Sequence, residues 1–136
     1  MLTSTVSYKG NLRTSCTHVS SGQSLVTDAP VDNQGRGEAF SPTDLMSTSL
    51  ASCMLTIMGI VANNHQFAFE GAEAQVTKTM ASNPRRVQKI QIDIEIPDKG
   101  YTENQKALLE TGARNCPVAK SIHPDIEVSL GFSYRG

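Results

Sequence analysis

Hydrophobic and polar positions along the chain divide it into short alternating runs, one long charge-free stretch, and alternating runs again. Residues 2–9 and 12–19 read as two β-rich segments joined at Lys9-Gly10-Asn11. A second turn at Ser20-Ser21-Gly22-Gln23 leads to the short run Ser24–Thr27, so the N-terminal part predicts a three-stranded meander. Residues 28–40 are polar and contain Pro and Gly, as expected of a connecting loop.

Ser41-Pro42-Thr43-Asp44 then opens a helix: Ser41 suits the cap, Pro42 the first turn, and Asp44 the positive end of the dipole. That helix should run to about Asn64. Leu45, Met46, Leu50, Cys53, Met54, Ile57, Met58 and Val61 recur mostly at three- and four-residue spacing. Its other positions are small and uncharged, which predicts a helix wrapped by protein on most sides. Leu45 to Phe69 carries no Asp, Glu, Lys or Arg, but Ser47, Thr48, Ser49, Ser52, Asn63, Asn64 and His65 interrupt it. The interruptions argue for a core helix rather than a bilayer span.

Beyond the helix, 71–80 alternates weakly and Ser82-Asn83-Pro84 turns the chain. Ile90, Ile92, Ile94 and Ile96 alternate with Gln91, Asp93 and Glu95 as the clearest strand of all. Thr102 and Gln105 offer a capping box for a helix ending at Arg114. Asn115-Cys116-Pro117 is expected to start a short helix ending near His123-Pro124, and Ile126 to Tyr134 a final strand. Strands, long helix, strands, helices, strand is an α+β order, here read as antiparallel sheets wrapped around the central helix.

Composition narrows this little. The 136 residues suit a single domain, 1–136, and a net charge of −1 gives no reason to expect nucleic acid or an anionic membrane as partner. Met1-Leu2-Thr3-Ser4-Thr5 shows neither a basic nor an apolar leader region, so a cytoplasmic location is expected. Cys16, Cys53 and Cys116 do not fit an extracellular disulfide framework, and no CxxC pair or zinc-spaced Cys/His cluster is present. His18, His65 and His123 share no metal-ligand spacing, and no GxSxG elbow supports a hydrolase.

The cysteines remain as candidate chemistry. Cys116 precedes Pro117 at a predicted helix start, where backbone N–H groups and the dipole would favour a thiolate; the plain alternative is a small buried residue. Cys53, inside the long helix, has no such help and would need a cation, for which Arg13 and Arg36 are the upstream candidates. Its other reading is an inert core residue among methionines. Cys16, between Ser15 and Thr17, reads as structural.

Ser41-Pro42-Thr43-Asp44-Leu45 through Leu50-Ala51-Ser52-Cys53-Met54, together with Cys116-Pro117-Val118-Ala119-Lys120-Ser121, resemble the two signature blocks of the osmotically induced protein C / organic hydroperoxide resistance (OsmC/Ohr) family. The resemblance implies an intertwined homodimer and a cofactor-free, metal-free peroxidase. In it Cys53 would reduce a small organic hydroperoxide, Cys116 would resolve the sulfenic acid as a disulfide, and an external dithiol would regenerate the pair. Family peroxidases pair the reactive cysteine with an arginine held by an acid just after an Asn-Pro. Here the helix opens Ser41-Pro42 and the acid's position is Thr43. Asp44 is turned by about 100° from it, and Glu38 is another candidate acid. Arg13 matches the N-terminal strand position better than Arg36. This pattern resembles a less characterised branch, and two other readings stay open: a dimer binding a small apolar ligand, or a redox sensor.

Overall fold

A computed structural model describes all 136 residues, which divide into two compact units, Met1–Met46 and Ser47–Gly136. The first unit holds the meander β1 (Ser4–Gly10), β2 (Arg13–His18) and β3 (Ser24–Asp28), all antiparallel. Asn11 and Leu12 form the two-residue link between β1 and β2, with φ of 54° and 63°. Positive φ at both positions gives the turn twist that matches paired strands. A loop follows, held at its mouth by Asp28 N–H donating to the Phe40 carbonyl at 3.0 Å and containing one 3-10 turn, Val31–Asn33.

The helix α1 (Pro42–Asn64) starts in the first unit and continues through the second. Its start is a reciprocal cap. Asp44 N–H donates to Ser41 Oγ at 3.0 Å, and Ser41 N–H donates to Asp44 Oδ2 at 3.0 Å. Two orphan donors are thereby satisfied. Ser47, Leu50, Ala51, Met54, Met58 and Ala62 form the buried stripe of α1. Ser49, Ser52, Thr56, Ile60 and Asn63 lie on an exposed stripe, so within one chain α1 is not wrapped on most sides as its lack of charge had suggested. By length and apolar composition alone α1 could also cross a membrane. Its polar interruptions therefore do not exclude that role, and it is the packing of the second unit against it that makes α1 a core element.

The second unit contains β4 (Glu73–Ala81), β5 (Arg86–Pro97), α2 (Glu103–Arg114) and β6 (Glu127–Arg135). The four alternating isoleucines all lie on the inner face of β5, each no more than 1% exposed. Four buried isoleucines contribute several kcal/mol of hydrophobic stabilisation, at about 1.5–3 kcal/mol each. β4 pairs antiparallel with β5, but β6 pairs parallel with it, Ile90 opposite Val128 and Ile94 opposite Phe132. This corrects the all-antiparallel expectation. The chain leaves β5, crosses through α2 and re-enters from the same end, which is how parallel neighbours must be connected.

α2 has the predicted capping box: Thr102 Oγ1 accepts from Gln105 N–H, and Gln105 Oε1 accepts from Thr102 N–H. Tyr134 of β6 donates to Glu110 Oε2 at 2.8 Å, and Lys106 and Arg114 lie over the rings of Tyr134 and Phe132. On its other side α2 meets α1 at Gly112. A Cβ there would stand 3.0 Å from Val61 Cγ2 and 3.3 Å from Ile57 Cγ2. Hydrogen is the only substituent that fits without movement.

Candidate active site

The α1–α2 seam leads to the two cysteines. Cys53 lies one helical turn before Ile57 on α1, and Cys116 lies four positions beyond Gly112. Where the helices touch at Ile57, Val61 and Gly112, the same seam continues to Cys53 and Cys116. The Cys53 thiol is close enough to Cys116 to help push that thiol's pKa up, and both are free thiols. Their exposure differs. Cys53 is half-buried, whereas Cys116 is 0% exposed.

The segment around Cys116 departs from the sequence expectation. α2 ends with Asn115, whose N–H reaches the Thr111 and Gly112 carbonyls and whose side chain donates to Thr111 O at 2.8 Å. From Pro117 onward the chain forms turns rather than a new helix. Lys120 N–H donates to Cys116 O and Ser121 Oγ to Pro117 O, but no regular helical ladder follows. Without a helix there is no macrodipole to lower the thiol pKa. Two N–H groups, of Ala119 and Val118, do donate to the Cys116 sulfur and act in that direction. Burial outweighs them, and Cys53 adds to it, so the Cys116 thiol is pushed up rather than down. Of the two readings of Cys116, the low-pKa thiolate at a helix start gives way to the small buried thiol.

In the first unit the candidate cation has a defined setting. Arg13 and Asp28 are register partners across β2 and β3. Arg13 Nε donates to Asp28 Oδ1 at 2.8 Å and Nη2 to Asp28 Oδ2 at 2.7 Å, a bidentate pair. Nη2 also reaches Glu38 Oε1 at 3.1 Å, and Glu38 N–H donates to Asp28 Oδ2 at 3.2 Å. Asp28 is fully buried, and the Arg13 guanidinium holds its carboxyl below the usual range despite the cost of desolvation. The Arg13 pKa rises in return.

Glu38, the other candidate acid, thus does contact the candidate arginine. Arg36 sits exposed in the same loop and only adds a minor attraction to the Asp28 carboxylate. Thr43, at the position where family peroxidases carry the acid, has its hydroxyl 3.3 Å from Ser41 Oγ. Asp44 is engaged at the cap of α1. Asp28 was missed from sequence. Counting strand pairs outward from a turn centred on Ser20-Ser21 would have set it opposite Arg13, but the expected turn was centred one residue later. Cys16 lies in β2, opposite Val6 and Leu25, with Thr14 Oγ1 3.8 Å from its sulfur.

Comparison with known proteins gives a consistent picture. A family model described as OsmC-like protein matches residues 35–131. The crystal structure of a Psychrobacter arcticus 273-4 protein, provisionally described as an osmotic stress induced and detoxification response protein, is 52% identical with a TM-score of 0.92; the match covers 97% of this chain and 96% of that one. An OsmC like protein from Mycoplasma pneumoniae shares the fold at 15% identity, with TM-score 0.80 and coverage of 98% and 96%. An organic hydroperoxide resistance protein OsmC from Legionella pneumophila does so at 20% identity, with TM-score 0.71 and 98% of each chain covered. No curated protein sequence matches the chain.

Proposed function

The chain belongs to the OsmC-like family, and from that membership we propose that it is a thiol-dependent peroxidase reducing small organic hydroperoxides. The observation that carries the reading is the proximity of Cys53 and Cys116 at the end of the α1–α2 seam, the first half-buried and the second fully buried. In this reading the Cys53 thiolate attacks one peroxide oxygen, the O–O bond breaks, and the alkoxide leaves as an alcohol after taking a proton. Cys53 becomes a sulfenic acid. The nearby Cys116 sulfur then attacks Cys53, and the hydroxyl departs as water as the disulfide forms. An external dithiol returns both to thiols. The half-buried position of Cys53 beside Met54 and Leu50 suits a substrate with an apolar tail.

Of the two candidate cations, Arg13 rather than Arg36 has a built setting, and we propose it as the one the peroxidase reading needs. Asp28 and Glu38 hold its Nε and Nη2, which fixes the guanidinium plane and leaves Nη1 outside those bonds. The proposed active form is a homodimer, supported by the uncharged exposed stripe of α1 and by Val6, Tyr8, Leu25 and Val26, each more than a third exposed on β1 and β3. Sedimentation of a monomer at micromolar concentration would remove that part of the proposal.

The test of function is turnover of cumene hydroperoxide with a dithiol. Cys53→Ser should abolish it, Arg13→Met should slow the peroxide step, and Arg36→Ala should leave it near wild type. Unchanged turnover in Cys53→Ser would refute the assignment. A single stoichiometric oxidation without repeated turnover would instead favour a redox sensor. Absence of any Cys53–Cys116 disulfide after peroxide would favour an apolar-ligand binder.

A further inference from the structure

The loop between β3 and α1 forms, against the β1–β2 turn, a pocket that the peroxide chemistry does not use. Asn11, Leu12, Gln34, Gly35 and Arg36 line it, and its volume is about 440 Å³. All five belong to the first unit, and none is a thiol. We propose that this pocket binds a small organic acid, a carboxylate or a phosphate monoester carrying a short apolar tail. Such a site goes beyond the peroxidase reading and does not depend on it.

Backbone contacts fix the walls. Ala29 N–H donates to the Leu12 carbonyl at 3.0 Å, Gly35 N–H to the Pro30 carbonyl at 2.9 Å, and Gly37 N–H to the Ala29 carbonyl at 3.1 Å. The loop therefore lies directly on the end of β3, so closely that a Cβ on Gly35 would overlap the Ala29 carbonyl. Gln34 turns the chain in the left-handed region, with φ of 69° and ψ of 8°. Residues other than glycine keep that conformation where their surroundings impose it. On the other side, Leu12 N–H donates to the Tyr8 hydroxyl at 3.3 Å and steadies the β1–β2 turn. A pocket on such a frame is formed before its ligand arrives, which lowers the cost of binding.

The lining selects the ligand. Arg36 is the one charged residue among the five, so no carboxylate in the lining opposes an anion. The acids beside the loop are already committed: Asp28 is buried and bonded to Arg13, and Glu38 reaches the same guanidinium. Arg36 itself makes neither ion pair nor hydrogen bond and feels only a minor attraction from Asp28. A free guanidinium presents parallel N–H donors that match two oxygens of a carboxylate or phosphate. Asn11 and Gln34 carry amide donors for the remaining oxygens. Leu12, 42% exposed, offers an apolar wall. Volume separates an organic acid from a bare ion. A water molecule takes about 30 Å³ of liquid, so the pocket has space well beyond an inorganic phosphate.

The test is a titration of the full-length, isotopically labelled protein with inorganic phosphate, butyrate and butyl phosphate at constant ionic strength, followed by amide NMR. The expected result is saturable shifts at Asn11, Leu12, Gln34, Gly35 and Arg36, with butyrate or butyl phosphate held more tightly than inorganic phosphate. Whichever organic acid binds more tightly identifies the head group. Arg36→Ala should weaken binding by roughly tenfold or more. Arg36→Lys should recover only part of that loss, because an ammonium keeps the charge without the fork. Leu12→Ala should remove the advantage of the tail and leave the affinity for inorganic phosphate as it was. Arg36 is exposed and unbonded, so thermal unfolding should show both of its variants folded. Shifts that rise without saturating, that spread equally to Arg85, Arg86 and Lys89, or that survive Arg36→Ala would overturn the assignment. Inorganic phosphate binding as tightly as the organic acids would overturn the choice of ligand.

Discussion

The close approach of α1 and α2 at Gly112 can be tested by adding one carbon. In Gly112→Ala the new Cβ would stand 3.0 Å from Val61 Cγ2 and 3.3 Å from Ile57 Cγ2. Carbon atoms prefer about 3.5–4.0 Å, so the helices must separate by roughly half an ångström or the two side chains must leave their rotamers. Over-packing of this kind costs about 1–3 kcal/mol. Against it stands the helical preference of Ala over Gly, about 1 kcal/mol at an interior position. The two nearly cancel at the low end, so the net loss should fall between about 0 and 2 kcal/mol. In thermal unfolding that is a drop of up to about 8 °C for a chain of this size.

Stability alone does not isolate the contact, but the partner side chain can. Val61→Ala removes the methyl that the new Cβ meets. The double variant should recover part of the loss, giving a coupling of about 0.5–2 kcal/mol in a double-mutant cycle. The seam also ends at the cysteines, whose Cβ atoms must come within about 3.5–4.5 Å to bond. Disulfide closure after peroxide, followed by intact mass in a quenched-flow series, should therefore slow in Gly112→Ala and quicken again in the double variant. Sulfenic acid formation on Cys53 should not change. A Gly112→Ala protein more stable than wild type, with no coupling to Val61, would refute the packing argument.

Two further predictions concern titration. Cys116 in the Cys53→Ser variant, followed by thiolate absorbance at 240 nm, should ionise above the ordinary thiol value of about 8.5, because burial is the largest influence on it; ionisation below that value would contradict the burial. The Asp28 carboxyl is held low by Arg13, so its folded pKa lies below its unfolded one, near 3.9. Its contribution to stability should be fully present above pH 4 and disappear as pH falls through the folded value. Asp28→Asn should lose that part of the acid dependence of the melting temperature, and an unchanged profile would count against the pair.

Much of the fold was legible because local signals agreed with the tertiary outcome. The isoleucine alternation of β5, the Thr102–Gln105 box and the Ser41-Pro42 helix start each name an element through one periodicity or one hydrogen-bond pattern. The parallel placement of β6 was not legible, since a strand's own pattern carries no information about the direction of its neighbour. The choice between the two readings of Cys116 was not legible for a related reason. A Cys-Pro step announces a turn, but whether a helix follows depends on hydrogen bonds made by residues as far away as Lys120 and Ser121, and burial is set by α2. The Arg13–Asp28 pair needed an exact strand register, where a shift in the centre of one turn moves every partner.

The parallel pairing of β6 with β5 also has a bearing on how the protein is made. Lys89 and Glu127 pair although thirty-eight positions separate them, and Cys116 lies inside the crossover that this pairing closes. Contacts so distant along the chain form late, after the entropy of closing the intervening segment has been overcome. During synthesis both cysteines emerge before β6 does. Until that strand docks, nothing secures the crossover that seals one sulfur, so a nascent chain carries two ordinary thiols. The asymmetry between them is a property the molecule acquires only with its final strand.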